Sequence, residues 1–485
     1  MKRYLISPRI RRSCSLAGWP RTLRSFFGVV AISWTVAPPS AHAQQPAATA
    51  ALDGAERRAV VERIVQLLDE NYVFPDVAAK CGQHLKAKLA AGAFDTISDP
   101  QRFAERLTTE LQSVNHDKHM RVRIRPSDQA SLEQSDPDAA MARQLREMRE
   151  GNFGFERVEH LGGNVGYLDL RGFAPAQLAR QTAVAAMSFL SNSDAIVIDL
   201  RKNGGGNPDM VQLICSYFFG TRTHLNSLYW RRGNQTQEFW TLDDVPGRRM
   251  PDVPVFVLTS SRTFSGAEEF TYNLQTRKRA VIVGETTGGG ANPGGMMPVN
   301  GRFVIFVPTG RAINPVTGTN WEGVGVKPDV AVPADVALDT ALVRARAAAL
   351  TYRNAEVAKA TAQRDALKRK LDSARALIDR KQIAEGERAV SEALQQAIAD
   401  AVIDENAINM TGYRYLQQGN KQFAIAIFKA NVAAFPRSSN TYDSLGEAYM
   451  ANGDRDLAIQ NYRKSLELDP GNSNAAAMIK KLQGE

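Results

Sequence analysis

Apolar residues fall at helical spacing over residues 55–111, where Val60, Val61, Ile64, Leu67 and Leu68 share one face of the first helix. This pattern predicts a small N-terminal helical domain over residues 55–126 that closes on a strand-like run at 120–124. Residues 126–150 are polar and acid-rich, with Asp128, Glu133, Asp136 and Asp138, and predict a connecting excursion, so residues 127–161 are read as a connection. From residue 164 the period changes to short apolar runs at 165–170, 195–200, 255–259, 280–283 and 303–307. Turns and helical stretches such as 210–219 and 267–275 follow several of them, which predicts a mostly parallel sheet covered by helices over residues 162–335. The fold class is therefore α/β, with helical segments on either side of the core.

Beyond residue 335 the helical period returns, first as a connector over 336–405 and then as a repeat over 406–485. Gly412, Gly419, Ala424, Phe428 and Pro436 recur as Gly446, Gly453, Ala458, Tyr462 and Pro470, each 34 positions later. A fixed period with small residues at the helix crossing and proline at the close is similar to the tetratricopeptide repeat. Generic helical hairpins do not explain the constant offset. Two repeats are few, so the connector is expected to supply helices that complete the stack.

Composition changes this picture mainly at the start of the chain. The 485 residues are 44% hydrophobic and 23% charged, as in an ordinary globular protein. The formal charge of +9 suggests a basic binder, but residues 1–43 hold seven cations and no acid, and subtracting those seven leaves the remainder near +2. A nucleic-acid partner is not indicated. Those cations precede an apolar run at 26–36, then Pro38, Pro39 and Ala41, His42, Ala43, the order of a secretory signal cleaved after Ala43. The run is too short to span a bilayer, so a retained anchor ranks second. Arg11 and Arg12 lack the bulky apolar residue that follows a twin-arginine pair. The linker 44–54 then leads into a chain expected to be periplasmic or secreted. Only Cys81 and Cys215 remain after cleavage. They are too few for a metal cluster or a disulfide framework and read as buried thiols, with one bridge left open.

Candidate chemistry collects in the core. Ser265 stands between the strand ending near Thr259 and the helix beginning near Gly266. Free N–H groups at a helix start favour the negative charge of an attacked carbonyl. On local sequence alone, a plain capping box with Glu268 is the better account of Ser265, and Thr263 and Ala267 break the Gly-x-Ser-x-Gly elbow pattern. Gly204, Gly205 and Gly206 follow the run that ends in Asp199, Leu200 and Arg201, and let backbone amides approach a ligand. No nucleotide fingerprint accompanies them. A serine needs a base at neutral pH, and His84, His116, His119, His160 and His224 are available. His116, Asp117 and His119 could also hold a metal, but no His-Glu-x-x-His sequence or cysteine pair supports it, so neither metal nor cofactor is expected. Gly288, Gly289 and Gly290 form a flexible loop. Glu322, among glycines, could orient an imidazole, although on its own a solvated loop carboxylate is the preferred reading.

Taken together, Asp117-Lys118-His119, residues 199–206, 259–269, 284–288 and 322–329 resemble, in family order, the C-terminal processing (tail-specific) serine peptidases, which include the tricorn core and the interphotoreceptor retinoid-binding protein. The resemblance covers roughly residues 55–333 and implies a crotonase-like core that hydrolyses peptide bonds through an acyl-serine. Carried over residue by residue, it makes Ser265 the nucleophile, His119 the base and Glu322 its orienting acid. Gly266 and the Gly204 to Gly205 turn become the oxyanion donors. Members with a serine and lysine pair carry the lysine where this chain has Gly290, so a lysine dyad is not implied. Lys118 replaces the helper serine of the tricorn type, and the interval before Gly162 is too short for an inserted PDZ domain. The retinoid-binding-protein-like branch fits best. Its existence keeps a non-catalytic ligand carrier as the alternative, and the repeats keep open a scaffold for protein partners.

Overall fold

The computed structural model describes residues 51–125 and 137–484 and divides into two compact units, Met1–Tyr352 and Arg353–Glu485. The signal sequence expected at 1–43 lies outside the described residues.

The first unit opens with α1 (Gly54–Asn71), α2 (Pro75–Ala90) and α3 (Pro100–Asn115). Asp53 caps α1 by accepting the Glu56 N–H, Asp99 caps α3 by accepting the Arg102 N–H, and Pro100 occupies the first turn, where its missing N–H costs nothing. His116 ends α3 in the left-handed region with φ 56°. The chain then turns through Asp117 to Met120 into β1 (Val122–Ile124).

The segment expected to be a connection is more structured than its polarity suggested. It contains α4 (Pro137–Glu150) and supplies β2 (Phe155–Leu161), an edge strand of the main sheet. After β2 come β3 (Val165–Leu170), α5 (Ala176–Leu190), β4 (Ala195–Asp199), α6 (Pro208–Ser216), β5 (His224–Trp230), β6 (Gln235–Trp240), β7 (Val255–Thr259), α7 (Gly266–Thr276) and β8 (Ala280–Gly284). Next are β9 (Gly294–Pro298), β10 (Phe303–Pro308), β11 (Gly310–Ile313) and β12 (Val330–Ala331). The six-stranded sheet has the order β12-β8-β7-β4-β3-β2, parallel throughout except for the β2–β3 hairpin. Every residue of β4 and β7 is buried, as strands covered on both faces require. Ile196, Ile198, Val257 and Ile282 pack on one side with residues of α5, α6 and α7. Val165, Val197, Leu258 and Val283 pack on the other side against Ala337, Ala341, Ala345 and Ala349, a stripe on α8 (Ala337–Asp379).

One apolar run behaves differently. Residues 303–307, expected in the main sheet, lie in β10, which pairs antiparallel with β1 and β9. Its burial largely alternates, and Phe303, Ile305 and Val307 complete one core with Phe103, Leu107 and Leu111 of α3. The N-terminal helices are thereby fused to the peptide strands they cover. A small antiparallel sheet, β11-β5-β6, carries Leu228, Phe239 and Ala312 against Ala291, Trp321 and Val326.

The second unit is helical. The later residues of α8 join α9 (Ile383–Ala399), α10 (Glu405–Gln417), α11 (Lys421–Ala434), α12 (Ser439–Asn452), α13 (Arg455–Leu468) and α14 (Ser473–Gln483). A Cβ on Gly412 would lie 2.6 Å from the Phe428 ring, and one on Gly446 would lie 3.0 Å from the Tyr462 ring. The same crossing is thus built twice, 34 residues apart. Cys81 and Cys215 are both free and buried.

Candidate active site

Ser265 stands immediately before α7, on a turn that hydrogen bonds stitch to the turn after β4. Ser260 Oγ donates to the Arg201 carbonyl (2.6 Å), Thr263 Oγ1 to that of Leu200 (2.8 Å), and the Phe264 N–H to that of Asn203 (3.1 Å). The backbone at Ser265 has φ 54° and ψ −121°, a conformation L-residues rarely adopt and one the surrounding structure must hold in place. The two turns touch closely. A Cβ on Gly205 would lie 2.8 Å from the Gly266 nitrogen, the Phe264 oxygen and the Ser265 Cβ. The helix start therefore places the Gly266 amide and its dipole beside the hydroxyl-bearing carbon. The Gly205 N–H, however, donates to Asn203 Oδ1 (2.8 Å), while Gly204 is exposed. One N–H cannot serve Asn203 and an oxyanion fully at once, so Gly204 is the better candidate of the turn pair expected to donate.

Glu268 does more than cap the helix. It accepts the Ser265 N–H (2.8 Å), and its carboxylate also takes the Thr287 hydroxyl (2.5 Å) and the Gly289 and Gly290 amides (2.6 and 2.8 Å). One buried acid thereby ties the serine turn to the glycine loop. Burial pushes its carboxyl above the ordinary value, and these hydrogen bonds oppose the rise. Lys118 Nζ donates to the Gly288 carbonyl (2.6 Å) and Trp321 Nε1 to that of Gly290 (2.8 Å), fixing the loop from two other directions.

The loop between α3 and β1 brings His119 to this region. Its imidazole lies between Phe264, at 4.5 Å between ring centroids, and Phe306, at 5.5 Å. Asp117, fully buried, accepts the His119 N–H on Oδ1 (3.0 Å), and its Oδ2 accepts Asn292 Nδ2 (2.9 Å) and the Tyr72 hydroxyl (3.4 Å). Its Oδ1 is 3.9 Å from His119 Nδ1. Glu322 Oε2 accepts the Ala291 N–H (2.5 Å). One ligand atom from each of Asp117, His119 and Glu322 lies within 4.8 Å of the others, while His119 Nδ1 and Glu322 Oε1 are buried without a hydrogen-bond partner.

Burial, with a smaller contribution from Arg121, lowers the His119 pKa to about 3, so its imidazole is neutral. Burial first, and then the charge of Asp117, raises Glu322 to about 8, and burial raises Asp117 as well. Both carboxyls thus hold a proton more readily than ordinary ones, because burial and their mutual repulsion oppose ionising them together beside the imidazole. Among the described residues no hydrogen bond joins Ser265 Oγ to the imidazole. Such contacts are often long before substrate binds.

Position 290 has a steric explanation. A Cβ there would come 2.3 Å from the Phe264 ring and 2.7 Å from His119 Cε1, so a lysine at this position and the present imidazole exclude one another. Asp117, Asn292 and Phe306 were not singled out from sequence as partners of the imidazole. The Asp-x-His spacing was a usable signal for the first. Phe306 reaches the imidazole through the pairing of β10 with β1, Asn292 acts on it only through Asp117 from the loop before β9, and neither left a local signature. His116, considered as a metal ligand with His119, instead caps α3 and is exposed.

Comparison with known proteins gives three family matches. Residues 164–332 match peptidase family S41, residues 52–151 the N-terminal domain of peptidase S41 in eukaryotic IRBP, and residues 439–472 the tetratricopeptide repeat. A carboxy-terminal-processing protease of Bartonella bacilliformis is 26% identical over 180 residues, which cover 36% of this chain and 40% of that relative's length. The photosystem II D1 C-terminal processing protease is 16% identical, with a TM-score of 0.39 over 58% of this chain and 94% of its own. A lipoprotein from Streptococcus agalactiae is 14% identical, with a TM-score of 0.41 over 60% and 96%. No helix among the described residues is long and apolar enough to cross a membrane.

Proposed function

We propose, from a chain whose residues 164–332 form a peptidase family S41 domain, that this protein is a serine peptidase with Ser265 as nucleophile and His119 as base. The carrying observation is the shared position of Phe264. Its ring packs on the His119 imidazole at 4.5 Å while the next residue, Ser265, holds a strained backbone at a helix start. In this reading Ser265 Oγ attacks the peptide carbonyl carbon as His119 takes its proton. The oxyanion accepts N–H donation from Gly266 and Gly204. Collapse of the tetrahedral adduct breaks the C–N bond, and His119 returns the proton to the leaving amine. Water then repeats the sequence on the acyl-serine and releases the acid. Glu322 and Asp117 stabilise the imidazolium that forms in each half.

The experiment is labelling with a fluorophosphonate probe. Wild type is expected to gain one adduct on Ser265, and Ser265→Ala to gain none and to lose peptide hydrolysis by at least about a thousandfold with its melting temperature unchanged. Tight binding of apolar ligands without labelling or cleavage would instead favour a ligand carrier of the same fold. We further propose export with cleavage after Ala43, which N-terminal sequencing of protein recovered outside the cytoplasm tests. The repeat at 439–472 points to a protein partner held by the helical unit.

A further inference from the structure

We propose that Asp117, His119 and Glu322 form a binding site for a divalent transition-metal ion of the zinc class, and that an ion bound there silences the imidazole. Three observations carry the site. The side chains offer one nitrogen and two oxygens, with ligand atoms mutually within 4.8 Å. His119, whose side chain is only 9% exposed, keeps Nδ1 buried and without a partner, and Glu322 Oε1 is in the same condition. Leaving two such atoms unsatisfied is costly, and one cation would satisfy both. The remaining carboxylate oxygens are already held from behind. Asn292 and Tyr72 donate to Asp117 Oδ2, and the Ala291 N–H donates to Glu322 Oε2. Outer hydrogen bonds of this kind orient metal ligands.

The donor set selects the ion. Imidazole with two carboxylates suits zinc and its neighbours, whereas calcium takes six to eight oxygens and magnesium keeps near-octahedral oxygen coordination. Ligands about 2.0–2.2 Å from a tetrahedral zinc stand about 3.3–3.6 Å apart. Closing from the present spacing requires movements of roughly 1 Å, within reach of carboxylate rotation. Three protein ligands leave a fourth coordination position open to water. With the Nδ1 lone pair given to the ion, the neutral imidazole carries its hydrogen on Nε2 and has no lone pair left to take the Ser265 proton, so proton uptake fails. That consequence rests on His119 being the base, whereas the site itself does not.

The test is calorimetric titration of the untagged full-length protein with zinc chloride after chelator dialysis, using wild type and Ser265→Ala. Both are expected to bind one ion per chain. Glu322→Gln should weaken binding at least about tenfold, and His119→Ala should abolish it. Binding that survives His119→Ala, at His84, His160 or His224, overturns the proposal, as does no binding at all. Cobalt in the wild type gives a reading that needs no variant: visible absorption of a nitrogen- and oxygen-ligated ion, displaced by zinc, is expected, and its absence counts against the site. Peptide hydrolysis should fall as zinc occupies the site and recover with chelator. Binding without inhibition would remove the silencing claim and the role given to His119, while hydrolysis without zinc binding would remove this proposal alone.

Discussion

Glu269 sits on α7 one turn beyond Ser265, buried, and burial raises its carboxyl to about 7. Because this value exceeds the ordinary 4.5, the native protein holds a proton that the unfolded chain releases between those two values. Stability contributed by the group is therefore greatest below about pH 4.5, declines as pH rises toward 7, and levels off above it. Glu269→Gln imitates the protonated form. Melting temperatures measured across this range should fall for wild type by several degrees more than for the variant, and parallel curves would show that Glu269 does not titrate in this window. The Asp117, His119 and Glu322 cluster follows the same principle, since desolvation dominates each of its shifts.

At the scale of elements, two turns that begin at neighbouring parallel strands meet edge to edge. Parallel β4 and β7 are adjacent in the sheet, so the turns leaving their C-terminal ends are adjacent too. Gly205 is the point of contact, with φ +106° and no room for a Cβ, whereas a Cβ on Gly204 would meet nothing within 4 Å. Gly205→Ala is expected to cost about 1–3 kcal/mol in denaturant unfolding, and Gly204→Ala less than about 0.5 kcal/mol. Equal effects would place the tight contact elsewhere. The glycine run announced close backbone approach, yet it did not say which glycine touches the serine turn, because that depends on the spacing between β4 and β7. In the same way, Glu268 read as a local cap, while three of its hydrogen bonds run to residues about twenty positions away.

At the scale of the whole molecule, the candidate site and the cores that support it lie within Met1–Tyr352. A chain ending at Tyr352 keeps the alanine stripe that covers the main sheet. It should hydrolyse a short peptide with kcat/KM within about twofold of the full chain, since no group proposed for the chemistry is removed. A loss of a hundredfold would give the helical unit a part in the reaction. Much of this organisation was legible in the sequence. Helical periodicity marked α1 to α3, continuous apolar runs marked the buried parallel strands, and the 34-residue offset marked two helix crossings, because each signal is set by the local geometry of its own element. Motif resemblance, rather than periodicity, brought Ser265, His119 and Glu322 together as candidates. Only the tertiary structure decided that β10 leaves the main sheet to cover the N-terminal helices, that β2 joins it, and that Asp117 and Phe306 flank the imidazole. Those facts arise from pairing and packing between segments distant along the chain, where an apolar run or a carboxylate looks the same whichever partner it finds.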